Sequence, residues 1–177
     1  MTVNIRRVKE STIGKVDFDH LSFGTTFSDH MYRMDYAHGA WQAPEILPFG
    51  PIQVMPSLST LHYGQTVFEG LKAFSNKKGG VNIFRLDMHA KRMRHSCERV
   101  CIPAVDYDEF IEAVETLVDL DRDWVPKARG TALYIRPLIF ATESYIGVRV
   151  SEQYSFYIMT SPVAAYFKEG QIGRASC

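Results

Sequence analysis

Residues 61–92, LHYGQTVFEGLKAFSNKKGGVNIFRLDMHAKR, constrain the fold more than any other stretch of the chain. Residues 71–74 read as a strand, Lys77-Lys78-Gly79-Gly80 as a hairpin turn, and residues 81–86 alternate as the returning strand. Asp87 then has the chemistry of an N-cap for a helix that carries Arg92 and Arg94. A strand pair that runs straight into a helix commits the chain to a sheet with a helix packed on it. Ahead of the hairpin, His62-Tyr63-Gly64 marks an aromatic turn, and Val67-Phe68-Glu69-Gly70 follows. The stretch thus brings together an aromatic hydroxyl, a bent backbone and a helix-borne arginine. That combination suits an anionic small molecule, and ordinary α+β packing accounts for it equally.

The flanking sequence extends this plan. Residues 1–20 are polar and mixed and read as an exposed, partly extended lead-in. Residues 27–36 read as a strand with one polar and one apolar face. Residues 46–56 hold Pro48, Pro51 and Pro56, which predicts an extended or edge segment. Past the opening stretch, Met88, Met93, Cys97, Val100 and Cys101 predict the apolar stripe of a helix over 87–101, ended by Ile102-Pro103. Asp106 with Glu109 resembles a capping box, and Phe110, Ile111, Ala113, Val114, Leu117 and Val118 have helical spacing after it. Residues 131–141 are β-rich, with Pro137 predicting a bulge or an edge position. Residues 142–150 form a loop centred on Gly147 and residues 154–159 a strong strand, after which Ser161-Pro162 and residues 163–167 follow. The expected fold class is α+β, a mostly antiparallel sheet with two main helices.

Composition limits the partners. The 177 residues are 46% apolar, enough for a core, and 20 basic residues balance 20 acidic ones. No broad field draws the chain to nucleic acid or to an anionic membrane. No apolar run approaches the ~20 residues that span a bilayer, and MTVNIRRVKE has no signal-peptide pattern. Three cysteines make a poor disulfide framework, and Cys97 and Cys101 read as buried thiols on one helix. The expectation is a cytoplasmic protein with no nucleic-acid or membrane partner.

Few residues have chemistry written in their spacing. Arg92 fits a surface helix arginine, the commoner case, or a guanidinium offering a fork of hydrogen bonds to phosphate. Tyr134 and Arg136 share one face of a strand, which suits a carboxylate or a plain polar face. Tyr63 either points its hydroxyl into a cleft or simply packs. His30, His62, His89 and His95 lack metal-ligand spacing, so no metal is assigned. Ser144 is no nucleophile elbow. Gly79-Gly80 is a hairpin rather than a phosphate loop, and Asp29 and His30 point to opposite faces rather than forming a dyad. The residues alone support an α+β domain with room for an anion.

Several segments taken together say more. FGTTFSDHM (23–31), LHYGQTVFEGLKAF (61–74), DMHAKRMRHSCERVCIP (87–103), DRDWVP (121–126), LYIRP (133–137) and SPVAAYF (161–167) resemble the branched-chain amino-acid aminotransferases, pyridoxal-phosphate enzymes of fold type IV. FSDHM and DRDWVP are similar to the subgroup with a larger N-terminus, not to D-amino-acid aminotransferases or aminodeoxychorismate lyases. The resemblance implies pyridoxal 5′-phosphate as cofactor, with Arg92 holding its phosphate. It implies a substrate pocket walled by Phe23, Tyr63 and Phe68, with Tyr134 and Arg136 meeting the substrate and Arg136 serving the side-chain carboxylate of glutamate. Val148 would reach the pocket of a partner subunit, and Tyr166 would lie near the domain junction. The implied partners are amino acids, 2-oxo acids and a second copy in a homodimer.

The same resemblance divides the chain into a lead-in (1–20), an N-terminal small domain (21–167) and the start of an interdomain linker (168–177). In the family the lysine that bonds to the cofactor lies in a second domain, and no lysine here, up to Lys168, matches its motif. The implied catalytic set within this chain is therefore empty, and the isolated chain is expected to be inactive. QIGRASC (171–177) does not continue the chain's pattern, and residues 172–177 resemble translated sequencing-adapter DNA, which predicts a non-native tail. The competing expectations are a non-catalytic binding or dimerisation module with an aromatic groove, or another fold type IV aminotransferase or lyase.

Overall fold

A computed structural model describes residues 2–164. In chain order the elements are β1 (Asn4–Ile5), β2 (His30–Ala37), β3 (Ala40–Trp41), β4 (Glu45–Pro48), α1 (Ser59–Tyr63), β5 (Thr66–Phe68), β6 (Leu71–Ser75), β7 (Val81–Ile83), α2 (Leu86–Arg99), α3 (Tyr107–Leu120), β8 (Ala132–Ala141) and β9 (Tyr154–Val163). The strands join one sheet in the order β1-β4-β2-β9-β8-β6-β7, with β3 on β2 and β5 on β8. Only the β1–β4 pair is parallel among the described residues. The α+β reading with a mostly antiparallel sheet and two main helices is what the chain adopts.

β8 and β9 are the spine, paired from Ala132↔Val163 to Ala141↔Tyr154. Side chains alternate across a strand. Leu133, Ile135 and Ile139 of β8 therefore meet the helices in one core with Tyr32, Met34, Phe156 and Ile158. Tyr134, Arg136, Leu138 and Phe140 point to the opposite face. There Phe140 joins a smaller cluster with Met31, Leu47, Leu58 and Tyr157.

The helices close the larger core. In α3, Phe110, Ala113, Val114, Leu117 and Val118 are buried at helical spacing, and Asp106 caps the helix by accepting from the N–H groups of Asp108 and Glu109. The capping box is left open, because Glu109 Oε1 is buried with no hydrogen-bond partner. The stripe of α2 differs from expectation. Leu86, Ala90, Met93 and Cys97 are buried, whereas Met88, Val100 and Cys101 are exposed. Met93 and Cys97 keep their expected places. Val100 and Cys101 fall outside the stripe because the helix ends at Arg99, with Val100 as C-cap and Cys101 left-handed at φ 56°, and Met88 lies off the face that Met93 and Cys97 share. Arg85, not Asp87, is the N-cap, at φ 49°. Burial pushes the Cys97 thiol up to about 12, so it stays a neutral core group.

Pro137 is the more informative departure. It lies in the middle of β8, opposite Ile158 of β9, without a bulge. On its other side β5 ends at Phe68 and β6 begins at Leu71. Glu69 N–H donates to the Pro137 carbonyl at 2.9 Å, but proline has no N–H with which to return the bond. The ladder is interrupted there and the flanking strand divides in two. Ser161 and Pro162 lie within β9, which runs to Val163.

Residues 2–20 have no fully buried residue and are partly extended, and they are tied to the rest of the fold at several points. Asn4–Ile5 pairs with β4, and Ile13, Val16 and Phe18 pack on the core. Asp29 accepts from Ser11 Oγ (2.5 Å), Thr12 N (2.9 Å), Thr12 Oγ1 (3.0 Å) and Trp124 Nε1 (3.0 Å). His30 Nε2 accepts from Val8 N–H at 3.0 Å, so its proton sits on Nδ1 and is donated to Asp121 Oδ1 at 2.6 Å. The FSDHM segment is thus bonded directly to the DRDWVP segment. Replacing Asp29 by alanine would strand the Trp124 and Thr12 donors. We expect Asp29→Ala to lower the unfolding free energy by about 2–4 kcal/mol in a urea titration and to open residues 2–16 to proteolysis. An unchanged midpoint would contradict this.

Candidate active site

The junction between β5 and β6, Phe68-Glu69-Gly70, holds one group on each side of the sheet. Phe68 is on the face away from the helices. Arg136 lies over its ring, with Cζ 4.3 Å from the centroid, and over Tyr134 at 5.3 Å. Arg136 also donates from Nη2 (2.8 Å) and Nε (3.2 Å) to Tyr134 Oη. Phe23 packs edge-on against Tyr134 at 4.9 Å. Four of the expected pocket residues, Phe23, Phe68, Tyr134 and Arg136, therefore form one group: an arginine laid across aromatic walls. Phe23 and Phe68 remain 41% and 58% exposed, so this is an open wall rather than a closed cavity.

Glu69 points the other way, toward α2. Its carboxylate accepts Arg92 Nε and Nη2 at 2.6 Å each and His89 Nδ1–H at 2.8 Å. Burial pushes the Glu69 carboxyl up, but the bonds from Arg92 and His89 outweigh it and hold the group below the usual carboxylate range. Arg92 is 62% exposed at its side chain. The Glu69 fork occupies its Nε side, which leaves the Nη1/Nη2 edge to an incoming anion. A guanidinium fixed on one edge and open on the other fits a phosphate group.

Gly70 sits where no side chain can. A Cβ there would overlap Tyr134 Oη, so the phenol lies directly over this glycine's backbone. Neither Glu69 nor Gly70 stands out in the sequence as a site residue. The available signal is a glutamate on the buried face of a strand, which requires a cation, and α2 supplies one.

The remaining expected residues are placed differently. Tyr63 ends the short helix α1, closed by Gly64 at φ 66° rather than by a simple turn. Its ring packs on His62 at 6.1 Å, and Tyr63 is exposed. Val148 is 93% exposed at the tip of the 142–150 loop. Arg149, stacked 4.6 Å over Tyr145 and paired with Glu143, folds that loop, and the Leu58↔Ser144 bridge pins it beside α1. Tyr166 and residues 168–177 lie outside the described residues. At the far end of the same sheet face is a separate cavity of about 360 Å³, lined by Arg33, Asp35, Ile52, Val54, Leu58 and Tyr157 among others. Among the described residues no three His, Cys, Asp or Glu side chains converge as a metal site.

Residues 66–171 match the family model described as amino-transferase class IV, and the chain belongs to that family. It is 47% identical over 159 residues to branched-chain-amino-acid transaminase 1 of Bacillus subtilis (strain 168), which covers 89% of this chain and 45% of that protein. The chain therefore spans about half the length of this relative. Among solved structures, the fold is shared with the branched-chain aminotransferase of Thermoproteus uzoniensis with norvaline (TM-score 0.61, 24% identity, 76% of this chain and 42% of that one). It is shared too with a T.th. branched-chain amino acid aminotransferase with pyridoxamine 5′-phosphate (TM-score 0.56, 27% identity, 78% and 42%).

The junction can be tested at Gly70 and at Glu69. Gly70→Ala should displace Tyr134 and destabilise by about 1–3 kcal/mol. Tyr134→Phe removes the overlapping oxygen, so the double variant should recover part of that loss in a thermodynamic cycle. Strict additivity would exclude the overlap. Acid tests the second group. Glu69 has a folded pKa below the ordinary 4.5, so its stabilising contribution is present above that value and is lost as pH falls through the lower folded value. Between about pH 5 and pH 3 the unfolding free energy of the wild type should fall more steeply than that of Glu69→Gln. Parallel profiles would refute the assignment.

Proposed function

We propose that this chain supplies the small-domain side of a pyridoxal-phosphate-dependent branched-chain aminotransferase, which moves an amino group between leucine, isoleucine or valine and 2-oxoglutarate. The observation that carries this is Arg136 laid on Phe68 and bonded to Tyr134. A pocket for this reaction must take an apolar side chain in one half-reaction and a carboxylate-bearing one in the other. Here Phe23 and Phe68 are apolar walls, and the cation between them rests on neutral π faces instead of a carboxylate. It can therefore lie flat while a branched aliphatic chain is bound, and swing to a substrate carboxylate without first breaking an ion pair. Tyr134 Oη accepts from Arg136, so its own proton remains for donation toward a bound acid.

Arg92 would hold the cofactor phosphate at its open edge. When bound, the cofactor supplies the electron sink that carries the amino group between the two half-reactions. Tyr63 and Tyr166 would complete the pocket. Val148, exposed at the tip of a folded loop, would reach the corresponding pocket of a second copy in a homodimer. Family membership and the 47% identity to a branched-chain transaminase support this reading.

The test is a comparison of substrates with the full polypeptide that the gene encodes. Arg136→Met should lower kcat/KM for glutamate and 2-oxoglutarate by about tenfold to a hundredfold, the loss of a charge-assisted hydrogen bond pair. It should leave leucine turnover much less affected. Equal losses for both substrate types would overturn the assigned role of Arg136, and absence of any transamination by the wild type would overturn the proposal.

A further inference from the structure

We propose that Glu69 is a positioning residue for the cofactor phosphate: it holds Arg92 side-on, so that the guanidinium presents only its end-on edge to the anion. This deepens the aminotransferase reading and rests on it for the role of Arg92. Glu69 is 3% exposed and anchored through its backbone N–H to Pro137. Its two carboxylate oxygens are separately engaged, Oε1 by Arg92 Nε and Oε2 by Arg92 Nη2 and His89 Nδ1–H. Of the five guanidinium N–H groups, the Nε proton and one Nη2 proton are taken. The remaining three lie on the Nη1/Nη2 edge and its outer side. A phosphate can meet that edge with two oxygens, in the bidentate geometry that arginine favours.

Without the clamp, a 62% exposed arginine would sample many rotamers and would have to be ordered on binding. His89 stands one turn before Arg92 on α2 and braces the second oxygen, so the carboxylate cannot rotate to another arrangement. Aspartate would be one methylene short. Glutamine would turn one acceptor into an N–H₂ group facing N–H donors. The Phe68-Glu69-Gly70 junction therefore fixes the two arginines in opposite ways, Arg136 resting on a ring and Arg92 held by a buried anion.

The experiment measures pyridoxal 5′-phosphate binding to the full polypeptide by fluorescence quenching of the apo form, with transamination left aside. Glu69→Gln should raise the dissociation constant by on the order of tenfold, as supporting groups behind a ligand-binding residue do. The double variant Glu69→Gln/Arg92→Ala should bind no more weakly than Arg92→Ala alone, because the clamp acts only through Arg92. Wild-type affinity in Glu69→Gln, alongside weakened binding in Arg92→Ala, would overturn the inference and leave the phosphate role of Arg92 standing. Undiminished binding in Arg92→Ala would instead overturn the reading beneath it. A further measurement needs no altered carboxylate. The Arg92 Nε–H resonance of the wild type, assigned by its loss in Arg92→Lys, should be resolved and slow to exchange with solvent. Rapid exchange would show that the clamp does not exist.

Discussion

One missing hydrogen bond organises the site. Pro137 accepts from Glu69 N–H and returns nothing, so the strand beside β8 divides at Glu69 and Gly70. Elsewhere along the spine, register is fixed by paired backbone groups. At this one place the register runs through on a single backbone bond, and side chains on both faces engage the junction. Phe68 takes Arg136, Glu69 takes Arg92, and Gly70 leaves room for Tyr134. Proline inside a sheet normally weakens it. Here the break falls where adjacent residues must serve opposite faces, so the local loss of backbone pairing coincides with the place where chemistry is assembled.

The two arginines show how the same side chain is given different mobility. Arg92 meets a buried carboxylate through two short charge-assisted bonds, and removing Arg92 would leave that carboxylate with His89 alone. Such a group stays in place, which suits a ligand that remains bound through many turnovers. Arg136 meets only a phenol oxygen and two aromatic faces. Interactions of that kind are worth about 0.5–2 kcal/mol each, small enough for an incoming carboxylate to displace. A fixed and a movable guanidinium thus arise from Glu69 and Phe68, which are consecutive in the chain and face opposite sides of the sheet.

How much of this is legible in the sequence depends on whether the signal is local. The helix over Tyr107–Leu120 is legible because capping and spacing agree within it, and the Tyr134–Arg136 pairing because strand alternation alone puts both on one face. The α2 stripe loses Val100 and Cys101 because the helix stops at Arg99 and Cys101 turns left-handed, two residues before the stop that Ile102-Pro103 suggests. Pro137 predicts a disturbance, but the disturbance falls on the neighbouring strand, whose identity is set by the fold. The Glu69–Arg92 pair, 23 residues apart, is hidden for the same reason: each partner looks like an ordinary surface charge until the sheet turns one of them inward. The helix that Tyr63 ends escapes sequence reading because five residues carry too little periodicity to be seen.

The two segments that set this chain apart within its resemblance, FSDHM and DRDWVP, explain one another. Asp29 accepts the Trp124 indole N–H, and His30 donates to Asp121. Between them they bind Val8, Ser11 and Thr12 of the N-terminal segment, while Ser28 bonds to Thr160 of β9 through its backbone N–H and its hydroxyl. Residues 13–27 are therefore tied to the sheet at both ends, and Phe23 lies inside that loop, edge-on to Tyr134. An aromatic wall carried by an untethered loop would lose its packing to chain entropy. The longer N-terminal segment and its partner motif after α3 are best understood as one device, a buried polar lock that holds Phe23 over the Tyr134–Arg136 pair.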